Sequence, residues 1–255
     1  YSHLSKELAN MYKLERSNIL KAIFDQIEEA RTELGSWELL YRGHSSREYQ
    51  LLPTLHRSGK QDYERALFYN YKASSASLSR GVTKSNWDIV LDMQHYGLPT
   101  RLLDWTSSLG TALYFALKGN PGSPCIWLLN PYKLNGVSTG SEILYDVSNL
   151  PDIGGKPEFN FSQIMAGNCE YEIPYAIRPP HGNSRISAQR GLFTVHTKSQ
   201  EPLEVLCPDA IKRIDIQPDK AQEYKRYLSF LGIDEFSMFP DQGGLANHLK
   251  QTYAL

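Results

Sequence analysis

Two short segments hold the residues best suited to chemistry. The first is Tyr41-Arg42-Gly43-His44-Ser45-Ser46, directly after the apolar Trp37-Glu38-Leu39-Leu40. The second is Gln94-His95-Tyr96-Gly97-Leu98-Pro99-Thr100-Arg101-Leu102-Leu103-Asp104-Trp105-Thr106, running on into the apolar Thr111–Leu117. Arginine, aspartate, histidine and threonine inside Leu/Trp-rich runs are costly to bury. A buried polar group must be paired, and a buried charge more so. Such placement marks either a binding site or an Arg–Asp network inside the fold.

Arg42, at the end of a predicted strand, has a guanidinium that can fork onto a phosphate or carboxylate, and Gly43 would let the backbone approach that ligand. The alternative pairs Arg42 with Asp104 in the interior. On that pairing, Asp104→Ala is expected to destabilise by roughly 3–5 kcal/mol. His44 is the histidine best placed to contact a ligand. Thr100, Thr106, Ser107 and Ser108 set hydroxyls beside Trp105 ahead of a predicted helix, whose N-terminus suits an anion. Thr106 or Ser107 as a plain N-cap is the simpler reading of the same residues. His95 and Tyr96 close the preceding helix, either as a dipole-favoured cap or as general base and stacking ring. A third segment, Arg185-Ile186-Ser187-Ala188-Gln189-Arg190-Gly191-Leu192-Phe193-Thr194-Val195-His196, places two Arg, a Gln and a His at a strand entrance. Its plain alternative is a turn glycine with solvated charges.

The chain has 255 residues, 41% hydrophobic and 22% charged, as in ordinary globular proteins. Its net charge of −1 supplies no global field for nucleic acid or anionic membrane, although a local basic patch is compatible with it. Three scattered cysteines argue against a disulfide framework, and the seven histidines show no metal spacing. No apolar run is long enough to span a bilayer, so a cytoplasmic protein without membrane partner is expected. Gly-x-Ser-x-Gly, the P-loop, His-Glu-x-x-His and Gly-x-Gly-x-x-Gly are all lacking.

The elements that must position these residues read as helices first and strands later. Leu4–Leu34 has apolar residues at three- and four-residue steps (Ile19, Leu20, Ile23, Phe24, Ile27), with Gly35 as the stop. A strand over Trp37–Arg42 follows, then helices over Tyr63–Leu78, from Ser85 to Gly97 behind a capping box, and over Leu109–Leu117. Cys125–Leu129, Ile143–Tyr145, Gly191–Thr197, Leu203–Leu206 and Ile211–Ile216 read as strands. The stretch from Asn130 to Gly182 is rich in loop formers, and Lys220–Leu231 and Leu245–Gln251 read as closing helices. The pattern predicts an α+β fold, with N-terminal helices followed by a mixed, mostly antiparallel β core. Residues 1–35 form a helical extension and 36–255 one domain.

The Tyr-Arg-Gly motif with the later Gln-His-Tyr-Gly-Leu-Pro-Thr-Arg-Leu-Leu-Asp-Trp-Thr block resembles the FRG domain family. The likeness includes Arg185…Gln189-Arg190-Gly191-Leu192-Phe193 and Met238-Phe239-Pro240-Asp241-Gln242-Gly243-Gly244-Leu245, so it runs from Trp37 to Leu245. The order of the blocks also resembles the ADP-ribosyltransferase superfamily, which implies an enzyme-like architecture acting on NAD. By that analogy Arg42 anchors the dinucleotide, and Thr106 and Ser107 line the pocket. Gln189 approaches the position of a catalytic Glu but lacks its charge, and Glu204 offers a carboxylate from a strand instead. The binding set becomes Arg42, Gly43, His44, His95, Tyr96, Thr100, Arg101, Asp104, Thr106 and Ser107. The expected ligand is NAD or a related nucleotide, the partner a macromolecular acceptor, and the setting bacterial conflict or phage defence. Two other readings stand beside it. One is a non-enzymatic ligand- or partner-binding module, and the other a nucleic-acid-binding domain using Arg101, Arg185, Arg190 and tyrosines.

Overall fold

The computed structural model describes residues 19–78, 84–119, 121–151, 155–180 and 184–253. The first part of the helix expected over Leu4–Leu34 lies outside them. Residues 19–34 form α1, with Ile23, Ile27, Ala30 and Leu34 buried along one face and Gly35 ending it at φ 68°. Phe24, expected on that face, is exposed instead. Strand β1 is Leu40–His44, and the one-turn helix α2 is Thr54–Arg57. Helices α3 (Glu64–Ser75) and α4 (Asn86–His95) follow, α4 opened by the Ser85/Asp88 capping box that the sequence announces. Strand β2 is Leu102–Thr106, helix α5 Leu109–Leu117 and strand β3 Cys125–Leu129.

The loop-rich stretch from Asn130 holds more structure than its composition suggests. Helix α6 (Pro131–Thr139) starts with Pro131 in its first turn and the Asn130 side chain accepting from the Tyr132 and Lys133 amides, and Gly140 caps it at φ 78°. These are ordinary start and stop signals, legible beneath a polar composition. Strand β4 (Tyr145–Asp146), helix α7 (Phe161–Met165) and strand β5 (Tyr175–Arg178) complete it. The segment expected at a strand entrance is helix α8, Ser184–Gln189, turned into β6 (Gly191–Val195) by Arg190 at φ 47°. Leu203–Leu206 is a helical turn, α9, and not a strand. A four-residue apolar run does not decide between the two, and Pro202 ahead of it favours a helix start. Strand β7 is Ile211–Asp215, and α10 (Ala221–Phe230), α11 (Glu235–Met238) and α12 (Gln242–Thr252) end the chain.

The strands make one sheet in the order β4-β5-β6-β2-β1-β3-β7. Only β4 and β5 run parallel, so the fold is α+β with a mixed, mostly antiparallel sheet. One face packs two clusters. Tyr41, Ile126, Leu128 and Ile214 meet α1, α5 and α10, while Leu102, Tyr175, Ile177 and Phe193 meet α3, α4 and α7. The other face buries Leu40, Leu103, Trp105, Trp127 and Leu192 against Leu51, Leu134 and Leu203. Helix α1 is thereby part of the core that covers β1. Among the described residues, no helix is long and apolar enough to cross a membrane.

A discontinuity at the centre of the sheet positions the site. The ladders β1–β3, β2–β6 and β3–β7 each run five residue pairs, whereas β1 and β2 share only Tyr41↔Thr106. Past that pair the two strands part.

Candidate functional site

The gap between β1 and β2 opens as a cleft of about 410 Å³. Strand β1 lines it with Tyr41–His44, followed by Ser45, and β2 with Asp104–Thr106. Helix α5 adds Thr111, Ala112 and Phe115, and α8 adds Arg185 and Gln189. The Tyr-Arg-Gly motif now separates into three roles. Tyr41 is buried in the core under α5. Gly43 is a packing requirement: a Cβ there would lie 1.9 Å from the Ala112 carbonyl oxygen and 2.6 Å from the Ala116 nitrogen. It admits the α5 backbone, and the same residue lines the cleft. Arg42 alone turns its head into the cleft, with its side chain 19% exposed.

Arg42 replaces the missing ladder with a side-chain bridge. Its Nη1 donates to the Asp104 carbonyl oxygen at 2.6 Å and lies 3.7 Å from the carboxylate Oδ2. Its Nε–H donates to His44 Nε2 at 2.9 Å, so the Nδ1 of His44 bears the proton and donates to the Tyr49 carbonyl at 3.2 Å. That imidazole must be neutral. Burial first, then the Arg42 charge, push its pKa down to about 3. Burial also draws the Arg42 guanidinium below its ordinary range, with Asp104 pulling it back. An arginine starts high enough to remain a cation at neutral pH.

Asp104 is more exposed than an interior pairing implies, its side chain 57% accessible. It accepts from Gln94 Nε2 at 2.9 Å, and Gln94 Oε1 in turn accepts from the Thr100 hydroxyl. Arg185 stacks over Phe239 at 4.7 Å and donates to the His95 carbonyl. Arg57 reaches the cleft from α2, braced by Thr54 Oγ1 at 3.0 Å. Three guanidinium groups thus face one carboxylate, with Tyr49, Trp105 and Phe115 as aromatic walls. Guanidinium groups beside aromatic rings have the chemistry to hold an anion that carries an apolar or planar part.

Of the residues singled out from sequence, Arg42, Gly43, His44, Asp104, Thr106 and Gln189 meet here. Thr106 is no N-cap; its hydroxyl donates to the Gln189 carbonyl at 2.7 Å and accepts from Ser108 N–H, while Ser108 caps α5. The Gln189 amide donates to the Met238 carbonyl at 3.0 Å, tying the late Met-Phe-Pro segment to the site. His95 lines a side pocket of about 40 Å³ bounded also by Asp104 and Arg185, and its Nδ1 is buried with no partner among the described residues. Tyr96, stacked edge-on against His95, is exposed outside the lining.

The remaining residues lie elsewhere. Arg101 is sealed in the interior, its Nε and Nη2 on the Glu64 carboxylate and its Nη1 on the carbonyls of His196 and Thr197. It has no face for a phosphate, and Thr100 beside it is buried too. Ser107 faces a different cleft. Glu204 sits on α9, where both carboxylate oxygens accept from the Leu51 amide, at 3.3 and 3.1 Å. It does not converge with Gln189. Tyr49, Arg57 and Phe115 escaped the sequence reading, because an arginine in Leu-His-Arg-Ser and single aromatics resemble ordinary surface and core positions.

No curated protein and no solved structure matches the chain. A family model does, over residues 37–123, the span that holds Arg42, Gly43, His44, Arg57, Gln94, Asp104, Thr106 and the cleft face of α5. That model is the FRG domain, and the chain matches it over those residues.

Proposed function

We propose that the β1–β2 cleft binds a nucleotide of the NAD class and acts on its glycosidic bond. The observation that carries this reading is the convergence of Arg42, Arg57 and Arg185 around the single carboxylate of Asp104 in a cleft with aromatic walls. The guanidinium groups suit a pyrophosphate, and the aromatic rings suit a planar base. Asp104 takes the part that sequence analogy gave to Gln189 or Glu204. In the step envisaged, the C1′–N bond breaks and its electron pair leaves with nicotinamide, neutralising the ring's positive charge. The developing cation at C1′ lies against the Asp104 carboxylate. An oxygen of water or of a macromolecular acceptor then adds to C1′, and its proton passes to Asp104. Gln189, whose NH₂ is committed to Met238, has its Oε1 to accept a ribose hydroxyl.

The test is a thermal-shift titration with NAD, ADP-ribose and ATP, paired with an assay of nicotinamide release. Saturation at about 100 times the dissociation constant stabilises the protein by roughly 2.7 kcal/mol. Arg42→Ala is expected to fold and to lose the shift. Asp104→Asn is expected to keep the shift and lose nicotinamide release. A shift in the wild type without any release would favour the non-enzymatic binding module, whose basis is the already satisfied Gln94–Asp104–Arg42 network. No shift with any of the three overturns the reading. A role in bacterial conflict or phage defence belongs to the same proposal. An NAD-consuming site should arrest growth on expression, and Arg42→Ala should relieve the arrest.

A further inference from the structure

A second cleft, of about 520 Å³, adjoins the first across the Tyr41↔Thr106 pair, with Tyr41 lining both. It lies between the C-terminal end of α1, the lead into β1, the start of α6, the end of β5 and the turn from α8 into β6. Arg31, Arg178 and Arg190 line it, with Glu38 as the one carboxylate in its lining among the described residues. That carboxylate is engaged by the Tyr132 hydroxyl. Arg178 and Arg190 have no side-chain hydrogen bond or ion pair among the described residues, and Arg31, whose Nη1 pairs with Glu28 at 2.7 Å, keeps a buried Nε without a partner. Trp37 stands at the rim 79% exposed, a large indole that does nothing for the core.

Arg190 adds a second signal. It is the only non-glycine residue with positive φ among the described residues, at 47°. Glycine or asparagine would hold that turn at lower cost. An arginine kept in a strained turn, with its side chain in a cleft of like charge, points to a bound anion.

We propose that this second cleft binds single-stranded nucleic acid, with backbone phosphates on Arg31, Arg178 and Arg190 and one base stacked on Trp37. Exposed aromatics beside guanidinium groups are the means by which unpaired strands are held. A duplex keeps its bases stacked away from the indole. An acidic peptide would satisfy the arginines and leave Trp37 without a function. The site does not depend on the identity of the ligand in the first cleft.

Fluorescence anisotropy with short labelled oligo-U and oligo-dT strands tests it, with a matched duplex and poly-glutamate as competitors. Binding is expected at low salt, with log K falling against log salt at a slope of about −2 for three phosphates on a single strand. Trp37→Ala should weaken it roughly tenfold or more. Arg178→Gln and Arg190→Gly should weaken it and flatten the slope. Arg190→Gly also relieves the backbone strain, so an unchanged or raised melting temperature separates lost binding from lost folding. Arg42→Ala should bind as the wild type does. Three outcomes overturn the proposal: no binding of either strand at low salt, binding untouched by Trp37→Ala and Arg178→Gln, or displacement by poly-glutamate as effective as by an unlabelled strand.

Discussion

The two arginines of the conspicuous segments, both read from sequence as binding residues, take different places in the fold. Arg101 lies in a Leu-rich run beside Thr100 and pairs in the interior with Glu64, whose side chain is 6% exposed. Arg42 keeps a carbonyl, a histidine and a half-open carboxylate as partners and looks onto the cleft. Nothing local distinguishes them, because Glu64 is distant in sequence and reads as a helix-start residue. The destabilisation of 3–5 kcal/mol expected on breaking a buried pair therefore belongs to Glu64→Ala. Asp104→Ala should cost about 1 kcal/mol or less, as for exposed pairs. Urea unfolding of the two variants checks this, and equal losses would contradict it. The histidines add a pH dependence. Burial, and next Arg101, push His56 down to about 4, as burial and Arg42 hold His44 at about 3. Both are neutral in the folded protein, while the unfolded chain binds a proton at each near pH 6.5. The stability they contribute is present above pH 6.5 and is lost as pH falls toward 4, each approaching a slope of about 1.4 kcal/mol per pH unit. Between pH 6.5 and 5, above the ordinary carboxylate range, the melting temperature should fall in the wild type and fall less in His56→Gln. Parallel profiles would show that His56 is not held neutral.

The contact between β1 and α5 explains why an arginine of the motif is followed by glycine. Ala112 and Ala116 bring the helix backbone down onto Gly43, and this seats Thr111 and Phe115 at the cleft wall. Gly43→Ala should push a methyl group into the Ala112 carbonyl, which is backbone and cannot swing aside. A loss of roughly 3 kcal/mol or more is expected, at the upper end for overpacking. Chemical denaturation measures it, and a loss under 1 kcal/mol would mean that α5 does not sit as described. Gly122→Ala, with nothing within 4 Å of its added Cβ, serves as the neutral control. Elements of this kind were legible in the sequence wherever the signal is local. The capping box at Ser85, the helix over Leu109–Leu117 and the apolar run Cys125–Leu129 each fall where read. Helices α6 and α7 were missed although Asn130 and Asn160 cap them, because the surrounding Gly, Ser and Pro outweighed two single-residue signals. Strand β5 is short and buried, and α9 too short for any periodicity.

At the scale of the whole molecule, the seven strands are joined in the middle by one residue pair. The α+β class and the mostly antiparallel pairing follow from element order, but the strand order does not. Neighbours such as β2 and β6 are far apart in sequence, and no local pattern records which edges meet. The cleft was illegible for the same reason, since Arg42, Arg57, Asp104 and Arg185 converge only because β1 and β2 separate. The result is a sheet of two halves, β4-β5-β6-β2 and β1-β3-β7. They are held by Tyr41↔Thr106, by the Arg42 bridge and by the cluster around Leu103, Trp105 and Trp127. A ligand contacting Arg42 on one half and Asp104 or Gln189 on the other would close the seam. Local stability in a protein follows such differences in backbone pairing. Amide hydrogen exchange followed residue by residue should therefore find the β1 and β2 amides that face the gap exchanging at least tenfold faster than those shared with β3 and β6. Saturating NAD should slow the gap-facing amides on both strands together and leave β3 and β7 unchanged. Uniform protection across β1 and β2 in the free protein would show the centre of the sheet to be as tightly joined as its flanks, and Arg42 to be a structural strut.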